Sequence, residues 1–125
     1  MNILIQIWEG LKNLLTVLWQ NKKAKVKKII EDKLDSLDID LAKIIKNAQT
    51  QDPQKVADTL CDYISAAIES VLKNKAPMLL RLVKGLIIIM KPIIIIHLED
   101  FDKQDPEIIA SDLIEVVKNY LLERI

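Results

Sequence analysis

The chain is 125 residues long, half of them hydrophobic and 29% charged, with 18 Lys and Arg balancing 18 Asp and Glu for a formal net charge of zero. That length suits one domain with a modest core, and an aliphatic-rich chain without net charge is not of the disordered class. Two Gly and four Pro leave little turn material for a sandwich or barrel, and the lone Cys61 excludes an intramolecular disulfide framework and fits a reducing compartment.

Ile3 to Trp19 reads as an amphipathic helix. At 100° per residue, Ile3, Leu4, Ile7, Trp8, Leu11, Leu14, Leu15, Val17, Leu18 and Trp19 share a broad apolar arc, opposite Asn2, Gln6, Glu9, Lys12, Asn13, Thr16 and Gln20. Ile5 alone is out of place. A second helix is predicted from about Lys22 to Ala48, with a seam of Ile30, Leu34, Leu37, Leu41, Ile44 and Ala48. The alternating steps of four and three are those of a helix packed lengthwise on another.

Gln51-Asp52-Pro53 is a helix start, with Asp at the N-cap and Pro at the first helical position. The third helix then carries Val56, Leu60, Cys61, Ile64, Ala67, Ile68, Val71 and Leu72 on one face, with Asp58, Asp62, Ser65 and Glu69 opposite. Ala76-Pro77 opens a fourth segment. Its run from Leu86 to Leu98 is dominated by β-branched residues, and propensity alone would favour strands. The helical surroundings and the scarcity of other strands favour a helix, apolar all round, wrapped by the others and kinked or divided near Lys91 by Pro92. A second Gln104-Asp105-Pro106 opens the last helix, with Ile109, Leu113, Val116, Val117, Tyr120 and Leu121 on its inner face.

The two Gln-Asp-Pro signals lie 53 residues apart, and at that offset the seam maps onto Val83, Ile87, Met90, Ile94, His97 and Phe101. Duplicated helical hairpins would produce this match, and so in part would common helix grammar. Charge is segregated too: +4 over 1–33, −4 over 34–72, +5 over 73–98 and −5 over 99–125. Such blocks suit neighbouring elements that attract one another, or separate charged faces.

The fold expected is therefore an all-α antiparallel bundle of about five helices in one domain spanning 1–125. An N-terminal amphipathic helix (1–20) lies along or beside two helical hairpins (22–73 and 76–125). Nothing at the start reads as a signal peptide, and the apolar run 86–98 is shorter than the roughly 20 residues of a membrane span.

Little chemistry is visible. His97 stands near Glu99, Asp100 and Asp102, but three acids beside one His at a helix end read as a solvated boundary, and His97 as a seam residue with one nitrogen hydrogen-bonded. Cys61 lies on an apolar arc without a histidine nearby, and the isolated Gly10 and Gly85 form no phosphate-cradling loop. No catalytic residue, metal ligand or cofactor is expected, and the chain is not read as an enzyme. Nucleic acid fits poorly: the lysine run Lys22, Lys23, Lys25, Lys27 and Lys28 contains no arginine and sits on a neutral chain.

Those lysines mean more beside the first helix. An apolar arc with Trp8 and Trp19 at neighbouring angles, followed at once by five lysines in seven residues, has the layout of a peripheral membrane anchor. The mean hydropathy of +0.17 is high for so charged a chain, and apolar surface beyond the needs of one core must meet lipid, a partner or another copy. The expected surface is Ile3, Leu4, Ile7, Trp8, Leu11, Leu15, Leu18, Trp19, Lys22, Lys23, Lys25, Lys27 and Lys28. The function expected is non-catalytic binding or assembly in the cytoplasm, with peripheral membrane or lipid association through residues 1–28. A soluble homo-oligomeric or partner-binding helical scaffold is the alternative. A pore-forming or lytic protein with a sheltered hydrophobic helix over 77–98 is the second alternative.

Overall fold

The computed structural model describes residues 2–48, 52–99 and 104–125. Its helices are α1 (Asn2–Asp35), α2 (Asp38–Asn47), α3 (Pro53–Leu72), α4 (Pro77–His97) and α5 (Pro106–Arg124). No strand occurs among the described residues, so the protein is an all-α antiparallel bundle. Two helix starts follow the expected chemistry: Asp52 Oδ1 accepts from the Gln54 N–H at 3.1 Å, and Asp105 Oδ1 from the Glu107 N–H at 3.0 Å. Each cap is followed by proline, whose missing N–H costs nothing in a first turn. Gln51, Phe101 and Asp102 lie outside the described residues.

The first helices divide elsewhere than expected. No break separates residues 20 and 22; α1 runs unbroken to Asp35. Gln20-Asn21 contains neither Gly nor Pro, and nothing there removes a hydrogen bond. The break falls at Ser36-Leu37 instead. The Ser36 hydroxyl donates to the Lys33 carbonyl at 2.6 Å, and Leu37 N bonds back three residues to Leu34 at 3.1 Å, tightening the turn. α2 then starts with Asp38 and Asp40 in its first turn, where the helix dipole favours them.

Val26–Asp35 of α1, together with α2, forms one arm of a four-membered body whose other arms are α3, α4 and α5. α3 packs chiefly on α4, and α5 chiefly on α2. A single aliphatic core runs through all of them, from Val26 to Ile125. The seam runs unbroken through the Ser36-Leu37 turn at Leu34, Leu37 and Leu41 and departs from expectation only further on, where Ile45 is buried in place of Ile44, which is half-buried. The same step recurs in α4: Leu98 is buried and His97 is exposed, rather than filling a seam position. Every buried residue of α3 (Val56, Ala57, Leu60, Cys61, Ile64, Ile68, Leu72) has a buried residue 53 positions on (Ile109, Ala110, Leu113, Ile114, Val117, Leu121, Ile125).

α4 passes through Pro92 as one helix and is not divided there. Proline removes the hydrogen bond to the carbonyl of Ile88, and both residues are exposed, so water can take the orphaned carbonyl. Nor is α4 the wrapped central member. A ring of four helices has no central place, and each buries only a stripe. In α4 that stripe is Leu80, Val83, Ile87, Met90 and Ile94, leaving Met78, Leu82, Ile88, Ile89 and Ile96 in solvent. The hydrophobic helix expected to be sheltered over 77–98 is therefore sheltered on one side only.

The segregated charges meet across helix pairs. Lys84 and Lys91 of α4 pair with Glu69 and Asp58 of α3. Lys118 of α5 lies 3.0 Å from both Asp35 and Glu115, and these carboxylates, Asp35 first, hold its ammonium above the ordinary lysine range. Pairs with a partner this exposed contribute little each.

Candidate functional site

The feature that the fold leaves unexplained is the first two-thirds of α1. None of residues 2–25 is buried; the first side chain to reach the core is Val26. The N-terminal helix lies neither along nor against the bundle but projects from it as an arm roughly 36 Å long at 1.5 Å per residue. The helix persists because it continues a segment already ordered by packing, so no costly nucleus is needed.

Each apolar residue expected on the binding surface is exposed: Ile3, Leu4, Ile7, Trp8, Leu11, Leu15, Leu18 and Trp19, with Ile5, Leu14 and Val17 besides. Their exposures run from 50% at Leu11 to 72% at Leu4. Together they offer on the order of 1,000 Å² of apolar surface, where the largest patch on a typical monomer is about 300–600 Å². Trp8 and Trp19 sit at one edge of the arc, about 20° apart, beside Lys12. The polar edge of the helix carries one acid and one base, Glu9 and Lys12.

The basic run occupies the root of the arm. Lys22 and Lys25 follow Leu4 and Ile7 by 18 residues, five whole turns, so the face that is apolar distally becomes cationic where it meets the body. Lys22, Lys25 and Lys28 are exposed, while Lys23 and Lys27 are half-buried. Lys28 lies 3.4 Å from Asp32, an exposed pair that solvent screens. Among the described residues the other four have no ion-pair partner. An open hollow of about 530 Å³ lies between this root and the start of α4, lined by Trp19, Lys22, Lys23, Val26, Ala76, Pro77, Met78 and Leu79.

The remaining chemical candidates are spread apart. The His97 Nδ1 lies 2.8 Å from the Ile93 carbonyl of its own helix. Among the described residues no group of three His, Cys, Asp or Glu gathers, and no polar or charged side chain is buried. Asp100 and Asp102 lie outside the described residues. Cys61 is buried, and burial, more than the charges of Lys91, Asp58 and Asp62, pushes its thiol from 9.0 up to about 11. At pH 8 the thiolate is then about a hundredfold scarcer than for an unshifted thiol. Labelling by a disulfide reagent is expected to be at least that much slower in the native protein than in denaturant. Comparable rates would mean that the site opens readily.

Sequence reasoning overlooked the exposed side of α4. Its signal was present: a helix apolar all round, placed in a ring of four, must show one apolar side to solvent. Among the described residues no helix is long and apolar enough to cross a membrane. No protein-family model, curated protein or solved structure matches the chain.

Proposed function

We propose that the protein is a non-catalytic helical module that attaches peripherally to anionic membrane surfaces through α1, the arm inserting its apolar arc and the basic root meeting headgroups. One observation carries this reading: a stretch of α1, residues 2–25, without a buried side chain, whose apolar face turns cationic at its base. A helix lying in an interface sinks its apolar side about 5–10 Å, to the headgroup boundary, where tryptophan is favoured. Trp8 and Trp19, at the border between the arc and Lys12, fall at that depth. Burying a few of the large side chains contributes about 1.5–3 kcal/mol each, and each lysine near an anionic surface about 1 kcal/mol. Offset by ordering and desolvation, the sum corresponds to reversible attachment. The matched burial at an offset of 53 residues supports a body built from two duplicated hairpins, to which the arm is an extension.

Co-sedimentation of the full chain with phosphatidylserine-containing vesicles tests the reading. Binding is expected to weaken with salt and to be much poorer on phosphatidylcholine alone, because the lysine contribution is screened within a Debye length. Trp8→Glu/Trp19→Glu is expected to weaken it by about a hundredfold or more, since two large apolar burials are replaced by charges repelled from the surface. Failure of the parent chain to sediment with anionic vesicles would remove the membrane role.

A further inference from the structure

The exposed side of α4 is a second apolar surface, and nothing in the arm reading uses it. Met78, Leu82, Ile88, Ile89 and Ile96 are 84%, 47%, 71%, 64% and 63% exposed. At 100° per residue they fall, with Gly85 and Pro92, on one stripe that runs the length of the helix, diametrically opposite the buried stripe. Their aliphatic surface is on the order of 600 Å², and the flanking Arg81, Leu86, Ile93 and Ile95 bring it near the ~800 Å² per partner of a standard-size interface.

Charge selects the occupant. Lys84 and Lys91, at the border of the stripe, are already paired with Glu69 and Asp58 of the same chain. Arg81 at the edge of the stripe and Glu99, in the turn that closes α4, are exposed and, among the described residues, have no ion-pair partner. Arg81 lies at one edge of the stripe, and the helical period continued through the closing turn sets Glu99, 18 residues on, at that same edge, one towards each end. A two-fold axis that sets two such helices antiparallel brings each edge against itself, with Arg81 opposite Glu99 at both ends. A parallel two-fold would instead place the two Arg81–Glu99 edges on opposite sides of the contact and leave all four charges without a partner. An anionic lipid surface would be repelled by Glu99, and the stripe has no Trp or Tyr to seat at headgroups.

We infer that α4 is a self-association surface, on which two copies of the chain pack α4 against α4 in antiparallel, two-fold fashion, with Arg81 of each copy paired to Glu99 of the other. The contact is isologous and closes at the dimer. Glycine at position 85, whose added Cβ would meet nothing within the chain, lets the two helix backbones approach about one and a half turns to either side of the two-fold, which this pairing sets level with Met90.

The experiment is light scattering or sedimentation equilibrium on the full chain at micromolar concentration, without lipid. A species of twice the 14.3 kDa chain mass is expected. Ile89→Glu is expected to give the monomer with unchanged helicity, since the side chain it replaces is in solvent. Arg81→Glu and Glu99→Arg are each expected to weaken the dimer about tenfold or more by opposing like charges, and the double exchange Arg81→Glu/Glu99→Arg to restore it. A monomeric parent, a dimer that survives Ile89→Glu, or a charge exchange that fails to rescue would each overturn the assignment. A dimer lost in Trp8→Glu/Trp19→Glu but kept in Ile89→Glu would place the contact on the arm and overturn it as well. Vesicle binding by the parent is read separately, so the arm proposal can stand or fall independently.

Discussion

A chain beginning at residue 24 is expected to keep the thermal transition of the full protein and to lose vesicle binding at physiological salt. Residues 2–25 contribute nothing to the core cluster, which begins at Val26. Removing them deletes no core residue, and changes confined to such surfaces stay within about 0.5 kcal/mol. All the large apolar residues assigned to the bilayer, Ile3 to Trp19, disappear with them, as do Lys22 and Lys23. The lysines that remain, Lys25, Lys27 and Lys28, would at most hold the body loosely to an anionic surface at low salt. Calorimetry and co-sedimentation on the same preparation check both halves. For a domain of this size about 1 kcal/mol corresponds to roughly 4–8 °C at the midpoint. A larger fall would mean that the arm packs on the body in solution, and retained sedimentation would place the membrane contact elsewhere.

Ile87→Glu and Ile89→Glu, two residues apart, are expected to differ by several kcal/mol. Ile87 is 1% exposed and lies in the core between Val83 and Met90, whereas Ile89 faces solvent. A carboxylate at 87 forfeits the burial of an aliphatic side chain and leaves a charge without a partner, since among the described residues the body buries no polar group. Losses above about 4 kcal/mol are reserved for such cases, and a domain of this kind has about 5–15 kcal/mol in total. The Ile87→Glu chain is expected to be largely unfolded or to melt tens of degrees lower. Ile89→Glu should stay within about 0.5 kcal/mol of the parent's monomer stability. Denaturant titration by circular dichroism reads the difference. Equal damage at both positions would fit a strand, in which alternate residues share a face, and would contradict the helix that α4 forms.

That contrast also marks how much was legible beforehand. Aliphatic spacing placed Val56, Leu60, Ile64 and Ile68 of α3, and Ile109, Leu113, Val117 and Leu121 of α5, on the correct faces. Period and burial are the same information when one side of a helix is covered. The Asp-Pro pairs at 52–53 and 105–106 marked helix starts because cap chemistry is local. The α1–α2 break was legible in principle, with Ser36 among Asp35, Asp38 and Asp40, but the unbroken seam across it concealed a turn that shortens the helix without ending its apolar stripe. The opposite error, a break near residue 21, arose because composition changes there from apolar to lysine-rich, and composition does not stop a helix.

What the residues determined by themselves was the all-helical class, the faces of α3 and α5 and the two-sided character of the first helix, because each depends on neighbours within a few turns of the same chain. What only the tertiary structure decided was which apolar faces find a cover. The arc of Ile3–Trp19 and the stripe of α4 have the same grammar as the buried faces of α3 and α5. They differ only in lying outside a ring of four helices, where the geometry of packing leaves one body too few to shield them.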